Sequence, residues 1–186
     1  TDWRDNVILI DADYADRTVF ELSVQMERML ERRMPKVDLA KWVDFVALDG
    51  GLRPGENQTQ VLMVYSSDKS ALQNFEPHDL KSDLDGRAFS DHLGEFVFAS
   101  FPVESQVVTR GKLYLQSVEA LLAAKEVKRL ILIPDVDEYG MDLKAVLRET
   151  QHKEVVLLTV NPLTGVHCEQ EILTYSLMAP LGVKGS

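Results

Sequence analysis

The stretch VILIDADYADRT, residues 7–18, places four apolar residues directly before Asp11 and Asp13. A short run rich in valine and isoleucine, with no polar face, is typical of a central strand in a parallel sheet. The stretch LILIPDVDEYG, residues 130–140, repeats this layout with a second pair of aspartates. The sequence therefore predicts two buried strands of the same kind, each followed by two acids.

The chain alternates between segments of strand character and segments of helical periodicity. Five short apolar segments are predicted strands: Val7–Ile10, Val61–Tyr65, Phe96–Phe101, Leu130–Ile133 and Val155–Val160. Apolar residues at helical spacing predict helices over Thr18–Met34, after Asp38 as an N-cap, around Val118–Leu122, over Asp142–Thr150 and over Glu169–Met178. The region Ser66–Gly94 is polar and weakly periodic, and an extra helix, a lid and a partner surface all stay open for it. The alternation predicts an α/β protein built from βαβ units around a mostly parallel sheet.

Length and composition indicate a single domain over residues 1–186. The apolar share of 45% and the charged share of 27% are ordinary for a soluble globular protein. No run of 18 apolar residues occurs, so we expect no membrane-spanning helix. The start, TDWRDN, lacks the pattern of a secretory signal, and Cys168 is the only cysteine, which excludes an internal disulfide. We therefore predict a cytoplasmic protein.

Four aspartates form the main candidate site: Asp11, Asp13, Asp135 and Asp137. Open parallel sheets bind ligands at the carboxyl ends of their strands, and in the strand order 3-2-1-4-5 the first and fourth strands are neighbours. Carboxylates that converge repel each other unless they hold a cation, become protonated or stay hydrated. Oxygen ligands suit Mg²⁺ or Mn²⁺. The alternative is that each aspartate only caps the helix that follows its strand.

Two further polar residues are candidates for phosphate binding. Ser66 follows the second predicted strand, and Lys112 begins the segment before the fourth. An ordinary turn and a solvated surface lysine are the alternatives. The net charge of −10 argues against extensive nonspecific binding of nucleic acid, although a small local basic groove stays compatible with it.

The segment ILIDADY, residues 8–14, resembles the opening strand of NYN domains, a branch of the PIN-like ribonuclease superfamily. The segment LILIPDVDEYGMDLKAVLRE, residues 130–149, resembles the family's later strand and helix, with Tyr139 one position late after the D-x-D motif. The resemblance implies a three-layer α/β/α sandwich whose five-stranded sheet has the order 3-2-1-4-5. It also implies an endonuclease that cleaves single-stranded RNA with Mg²⁺ or Mn²⁺.

The resemblance also implies roles for the aspartates. The catalytic residues are Asp11, Asp135 and Asp137, and the metal ligands are Asp11, Asp13, Asp135 and Asp137. The chain departs from the family at Tyr14, where NYN domains usually have asparagine. It departs again in the crossover before the fourth strand, where the family has an acid. The only acid in residues 109–124 of this chain is Glu119, which lies late in the predicted helix. Because a site that lacks a ligand binds metal weakly, the resemblance also allows an inactive nuclease.

A haloacid-dehalogenase-like phosphatase is the second hypothesis. The order of Asp11, Asp13, Ser66 and Lys112, followed by the later aspartates, imitates the motifs of that family. In such an enzyme Asp11 attacks phosphorus and Asp13 acts as acid and base. The chain departs from this pattern too, since Ala15 stands where the family has threonine.

Two other hypotheses stay open. A Toprim-like site fits the D-x-D-x-x-G pattern of residues 135–140, with Glu104 as its separate acid. A non-enzymatic binding or assembly module, with a homodimer formed through an apolar face, needs no metal and no catalysis.

Overall fold

The computed structural model describes residues 2–69, 71–150 and 152–183. The strands in this part of the chain are β1 (Asn6–Asp11), β2 (Val37–Asp38), β3 (Gln58–Ser66), β4 (Phe75–Glu76), β5 (Ala88–Asp91), β6 (Gly94–Val103), β7 (Arg129–Ile133), β8 (Glu154–Thr159) and β9 (Glu169–Ile172). The α-helices are α1 (Ala12–Leu30), α2 (Leu39–Asp49), α3 (Arg110–Ala123), α4 (Val136–Val146) and α5 (Leu173–Met178). A π-helical turn covers Leu80–Leu84.

Seven of these strands form a mostly parallel sheet, which confirms the predicted α/β class, and β2 and β4 pair separately. Its order is β5-β6-β3-β1-β7-β8-β9, and only β5 runs antiparallel to its neighbour. All five predicted strands are present, but β5 and β9 extend the sheet beyond them at its two edges. β1 pairs in parallel with β3 on one side and with β7 on the other. The carboxyl ends of β1 and β7 are therefore neighbours.

Residues of β1 alternate between two apolar clusters, which explains why the strand has no polar face. Ile8 and Ile10 pack with buried residues of α1, α2 and α5. Val7 and Leu9 pack on the other side with residues of α3 and α4. Helices thus cover both faces of the central strands, and these strands read as continuous apolar runs for that reason.

The helices differ from the prediction mainly at their ends. α1 begins at Ala12, six residues before the predicted start, because Asp11 already caps it. Asp38 caps α2 as predicted, and its carboxylate accepts the Lys41 N–H at 3.2 Å. The predicted helix over Glu169–Met178 is wrong in its first four residues, which form the edge strand β9. Within the described residues, no helix has both the length and the apolar character needed to cross a bilayer.

A pair of acids joins α2 to the edge of the sheet. Asp44 in α2 lies against Asp91 at the end of β5, and its Oδ1 is buried without a hydrogen-bond donor among the described residues. Burial, the hydrogen bond to Asp91 and the charges of Asp91 and Asp38 raise the pKa of Asp44 to about 7. A pKa of about 7 means that Asp44 carries a proton in the folded chain at mildly acidic pH.

We predict that the pair makes the fold less stable as pH rises. A folded pKa above the ordinary value of 3.8 means that the folded state binds the proton more tightly than the unfolded state does. The resulting stabilisation is lost as pH rises toward 7. Asp44→Asn removes this titration, so it should raise the melting temperature at pH 8 by roughly 2–4 °C, or about 1 kcal/mol after solvent screening.

Thermal melts at pH 5 and pH 8 measure this effect, with Asp142→Asn as the matched control. Asp142 is exposed, so its substitution removes one negative charge without changing a buried pair. If Asp44→Asn were no more stable than the unsubstituted chain at pH 8, the raised pKa of Asp44 would be refuted.

Candidate functional site

Asp11 and Asp135 each cap a helix at the carboxyl end of a central strand. Asp11 is the last residue of β1, and its Oδ1 accepts the Tyr14 N–H at 3.1 Å. Asp135 follows β7, and its Oδ1 accepts the Glu138 N–H at 3.3 Å. Both side chains are almost fully buried. The capping alternative is therefore correct for both residues, and it leaves the second oxygen of each carboxylate free for another partner.

That partner is Arg110, the first residue of α3. Its Nε donates to Asp11 Oδ2 at 2.8 Å, and its Nη2 donates to Asp135 Oδ2 at 3.1 Å. Its Nη1 donates to Asp13 Oδ2 at 3.2 Å, and Nη2 also reaches Glu138. The side chain of Arg110 is only 14% exposed. We refer to Arg110 and these four acids as the Arg110 cluster.

Asp13 lies in the first turn of α1 and connects the Arg110 cluster to β3. Its Oδ1 accepts the backbone N–H of Ser66 at 3.2 Å, and its Oδ2 accepts the Ser66 hydroxyl at 2.6 Å. Ser66 is thus close to the acids, as its position after a strand suggested. It donates to a carboxylate here, so its hydroxyl is already used inside the protein.

Two predicted site residues lie outside the cluster. Asp137 is exposed and makes none of the contacts with Arg110 that the described structure contains, whereas its neighbour Glu138 does. Lys112 is also exposed; its backbone N–H donates to the N-cap Thr109 at 3.1 Å. The structure therefore brings together three of the four predicted aspartates, with Arg110 as their cation.

The hydroxyl of Tyr139 forms hydrogen bonds with two residues of the cluster. It donates to Asp11 Oδ2 at 2.8 Å and accepts the backbone N–H of Asp135 at 2.9 Å. Gly111 allows this arrangement, because a Cβ at that position would lie 2.7 Å from Cδ1 of Tyr139. The start of α3 thus packs directly on the tyrosine ring, which brings Arg110 within reach of the acids.

Burial sets the protonation of the cluster. Burial raises the pKa of Asp11, and the charge of Arg110 opposes that effect. Burial lowers the pKa of Arg110, but the charges of Asp11, Asp13 and Glu138 outweigh this, and the pKa lies above its ordinary value. Burial and the charge of Asp11 raise the pKa of Tyr139 as well. Arg110 is therefore charged and Tyr139 protonated at neutral pH, as their donated hydrogen bonds require.

The carboxylates do not fit a divalent ion in this arrangement. Mg²⁺ needs about six oxygen ligands near 2.0–2.1 Å. The three inward oxygens instead face guanidinium nitrogens at 2.8–3.2 Å. The other oxygen of each aspartate accepts a backbone N–H. In the described part of the chain, no group of three or more histidine, cysteine, aspartate or glutamate residues is arranged to hold a metal ion.

A cleft of about 730 Å³ opens beside the cluster, between α1 and residues 68–69 and 71–74. Arg17, Phe20, Lys69 and Arg110 are among the residues that line it. Arg17 also donates to Asp135 Oδ2 at 3.1 Å while half of its side chain stays exposed. A smaller cavity of about 240 Å³ continues past Phe20 to Lys36. Together the two cavities form a groove along α1, which we call the α1 groove.

The sequence pattern does not identify Arg110, Arg17 or Glu138 as site residues. The family resemblance implies an acid in the segment before β7, whereas the residue of that segment that reaches the aspartates is a base. The signal present in the sequence is the run Thr109-Arg110-Gly111, an N-cap followed by an arginine and the smallest residue. An arginine at the first position of a helix is common on protein surfaces, so this signal is weak without the tertiary structure.

The chain belongs to a family of unknown function, DUF6621, whose model matches residues 1–186. No curated protein and no solved structure matches the chain. The geometry of the Arg110 cluster and the α1 groove is therefore the basis for assigning a function.

We predict that Tyr139→Phe destabilises the fold. The substitution leaves the buried N–H of Asp135 without an acceptor and removes one donor from Asp11. A buried polar group that loses its partner costs about 1–3 kcal/mol, so the melting temperature should fall by roughly 2–10 °C.

Tyr175→Phe is the matched control, because Tyr175 is 71% exposed in α5. Its melting temperature should equal that of the unsubstituted chain. Equal stability of both variants in thermal melts would show that the Tyr139 hydroxyl does not support the cluster.

Proposed function

We propose that this chain is an NYN/PIN-like domain that binds single-stranded RNA in the α1 groove and does not cleave it. The observation that carries the proposal is the groove itself. It places three cationic side chains, Arg17, Lys69 and Lys36, and an exposed aromatic ring beside the Arg110 cluster, whose acids are paired with Arg110. The neighbouring central strands β6, β3, β1, β7 and β8 also support the family resemblance, since they follow the order that it implies.

The groove has the chemistry that single strands need. Proteins bind single-stranded nucleic acid by cationic contacts to phosphates and by stacking bases on aromatic rings. Arg17 and Lys69 line the larger cavity, and Lys36, which is paired with Glu76 at 3.7 Å, lines the smaller one. Phe20 lines both cavities and is 57% exposed. A strand laid along α1 would thus meet positive charge in both cavities and the ring that they share.

The acids that line the groove have few free oxygens. Asp16 accepts N–H groups from Gln73 at 3.0 Å and from Asn74 at 2.9 Å, and the Asn74 amide also donates to it at 3.1 Å. Asp13 is held by Ser66 and Arg110. Hydrogen bonds to a carboxylate disperse its charge, so these two acids repel a phosphate less than free ones would. Asp68 and Glu27 still oppose an anion, and with the net charge of −10 they favour a short, salt-sensitive contact.

The hydrogen bonds within the cluster favour RNA binding over RNA hydrolysis. Every oxygen of Asp11, Asp13 and Asp135 already accepts a hydrogen bond from the protein. A phosphatase mechanism needs an accessible nucleophile, but Asp11 is fully buried and its Oδ2 lies between Tyr139 and Arg110. The geometry therefore favours the binding module over the metal-dependent nuclease and the phosphatase.

We predict that Phe20→Ala and Arg17→Ala both weaken the binding of a 12-nucleotide single-stranded RNA. Loss of one stacked base costs about 1–3 kcal/mol, which is roughly a 5- to 150-fold rise in Kd. Loss of one phosphate contact should reduce the slope of log K against log salt by about 0.7. Fluorescence anisotropy of labelled RNA at several salt concentrations measures both effects.

Phe101→Ala is the control, because Phe101 is 43% exposed in β6 and does not line the α1 groove. It should bind RNA like the unsubstituted chain. The RNA should also stay intact on a denaturing gel after incubation with Mn²⁺. If Phe101→Ala weakened RNA binding equally, or if the chain bound no RNA, the α1 groove would be rejected as the RNA-binding site. Mn²⁺-dependent cleavage of the RNA would favour the nuclease instead.

A further inference from the structure

We propose that Arg110 is the resident cation of the carboxylate cluster, so that its guanidinium group excludes a divalent ion from this site. The inference concerns the same site as the proposed function, but it does not depend on RNA being the ligand. It assigns Arg110 a specific electrostatic role, which neither the family match nor the sequence pattern provides.

The first support is the direction of the donors. Three different nitrogens of one guanidinium group each meet the inward oxygen of a different aspartate, at 2.8, 3.2 and 3.1 Å for Asp11, Asp13 and Asp135. A rigid planar fork of N–H groups suits such a set of carboxylates. The guanidinium group thus lies among these three oxygens, in the space that an ion shared by them would occupy.

The second support is the anchoring of Arg110. Arg110 is the first residue of α3, and Thr109 caps this helix. The next residue, Gly111, packs against the Tyr139 ring. The side chain of Arg110 is 14% exposed. The capped helix fixes the backbone of Arg110, and four acids bind its guanidinium group. The side chain is therefore a fixed part of the site.

The third support is the balance of charge. Asp11, Asp13, Asp135 and Glu138 carry four formal negative charges, and Arg110 and Arg17 carry two positive ones. Because Asp11 and Asp135 are almost fully buried, loss of Arg110 would leave acids without their main counter-charge in a poorly hydrated place. Carboxylate oxygens left in this state are suitable ligands for Mn²⁺ or Mg²⁺. Removal of the guanidinium group is therefore expected to create a divalent-ion site.

Arg110→Met and Arg110→Lys test this inference, with MnCl₂ as the probe. Methionine removes the charge and keeps an unbranched side chain, whereas lysine keeps one positive charge. We expect Arg110→Met to melt at a lower temperature than the unsubstituted chain in EDTA and to regain stability in millimolar Mn²⁺. By calorimetry it should bind one equivalent of Mn²⁺ at least about tenfold more tightly than the unsubstituted chain or Arg110→Lys, whose melting temperatures should not respond to Mn²⁺.

The double variant Arg110→Met/Asp11→Asn is the matched control, since it removes a buried acid together with its counter-charge. It should fold without Mn²⁺ and bind the ion more weakly than the single variant. If Arg110→Met neither binds Mn²⁺ nor regains stability from it while Arg110→Lys is folded, the inference is overturned.

The unsubstituted chain supplies a further test, with Asp13→Asn as the variant that locates a bound ion. Binding of one equivalent of Mn²⁺ with a Kd below about 1 mM, lost in Asp13→Asn, would show that Arg110 does not exclude the ion. None of these measurements uses RNA. Failure of RNA binding together with the expected response to Mn²⁺ would reject only the ligand of the α1 groove.

Discussion

The contact between Arg110 and three aspartates is the constraint on which the rest of the site depends. β1 and β7 are adjacent parallel strands, and each delivers an acid to the same water-poor place. Like charges at this range are unfavourable unless a cation or a proton compensates for them. The guanidinium group supplies both a positive charge and hydrogen bonds to each acid. The segment before β7 is therefore as necessary to the site as the strands that carry the acids.

The cluster also explains several choices of residue in its surroundings. Tyr139 is a buried tyrosine because its hydroxyl bonds both Asp11 and the backbone of Asp135. Its ring packs against Tyr114 with ring centroids 5.4 Å apart, and the Tyr114 hydroxyl donates to the carbonyl oxygen of Leu9 in β1. Gly111 leaves space for that ring. α3, α4 and β1 are thus held together by polar contacts as well as by apolar packing.

Capping and function are often treated as competing explanations for an aspartate after a strand. In this chain the two are compatible, because a carboxylate has two oxygens that point in different directions. One oxygen of Asp11 and one of Asp135 cap helices, and the other binds Arg110. Beside this closed set of acids, the α1 groove keeps exposed groups, Arg17 and Phe20 among them. The contrast between satisfied acids and an open groove is what favours binding over hydrolysis.

Local sequence patterns predict the α/β class, the five central strands, the cap at Asp38 and the position of acids after β1 and β7. Each of these follows from a local pattern, such as burial on both faces of a strand or a helix-capping residue. The partner of the acids depends on tertiary contacts, because Arg110 is 99 residues from Asp11 in the chain and no local pattern separates it from a surface arginine. The edge strand β9 was likewise decided by pairing with β8, which outweighed the helical spacing of its residues. A contact between residues that are distant in the chain depends on the order of the strands in the sheet. No short segment of the sequence specifies that order.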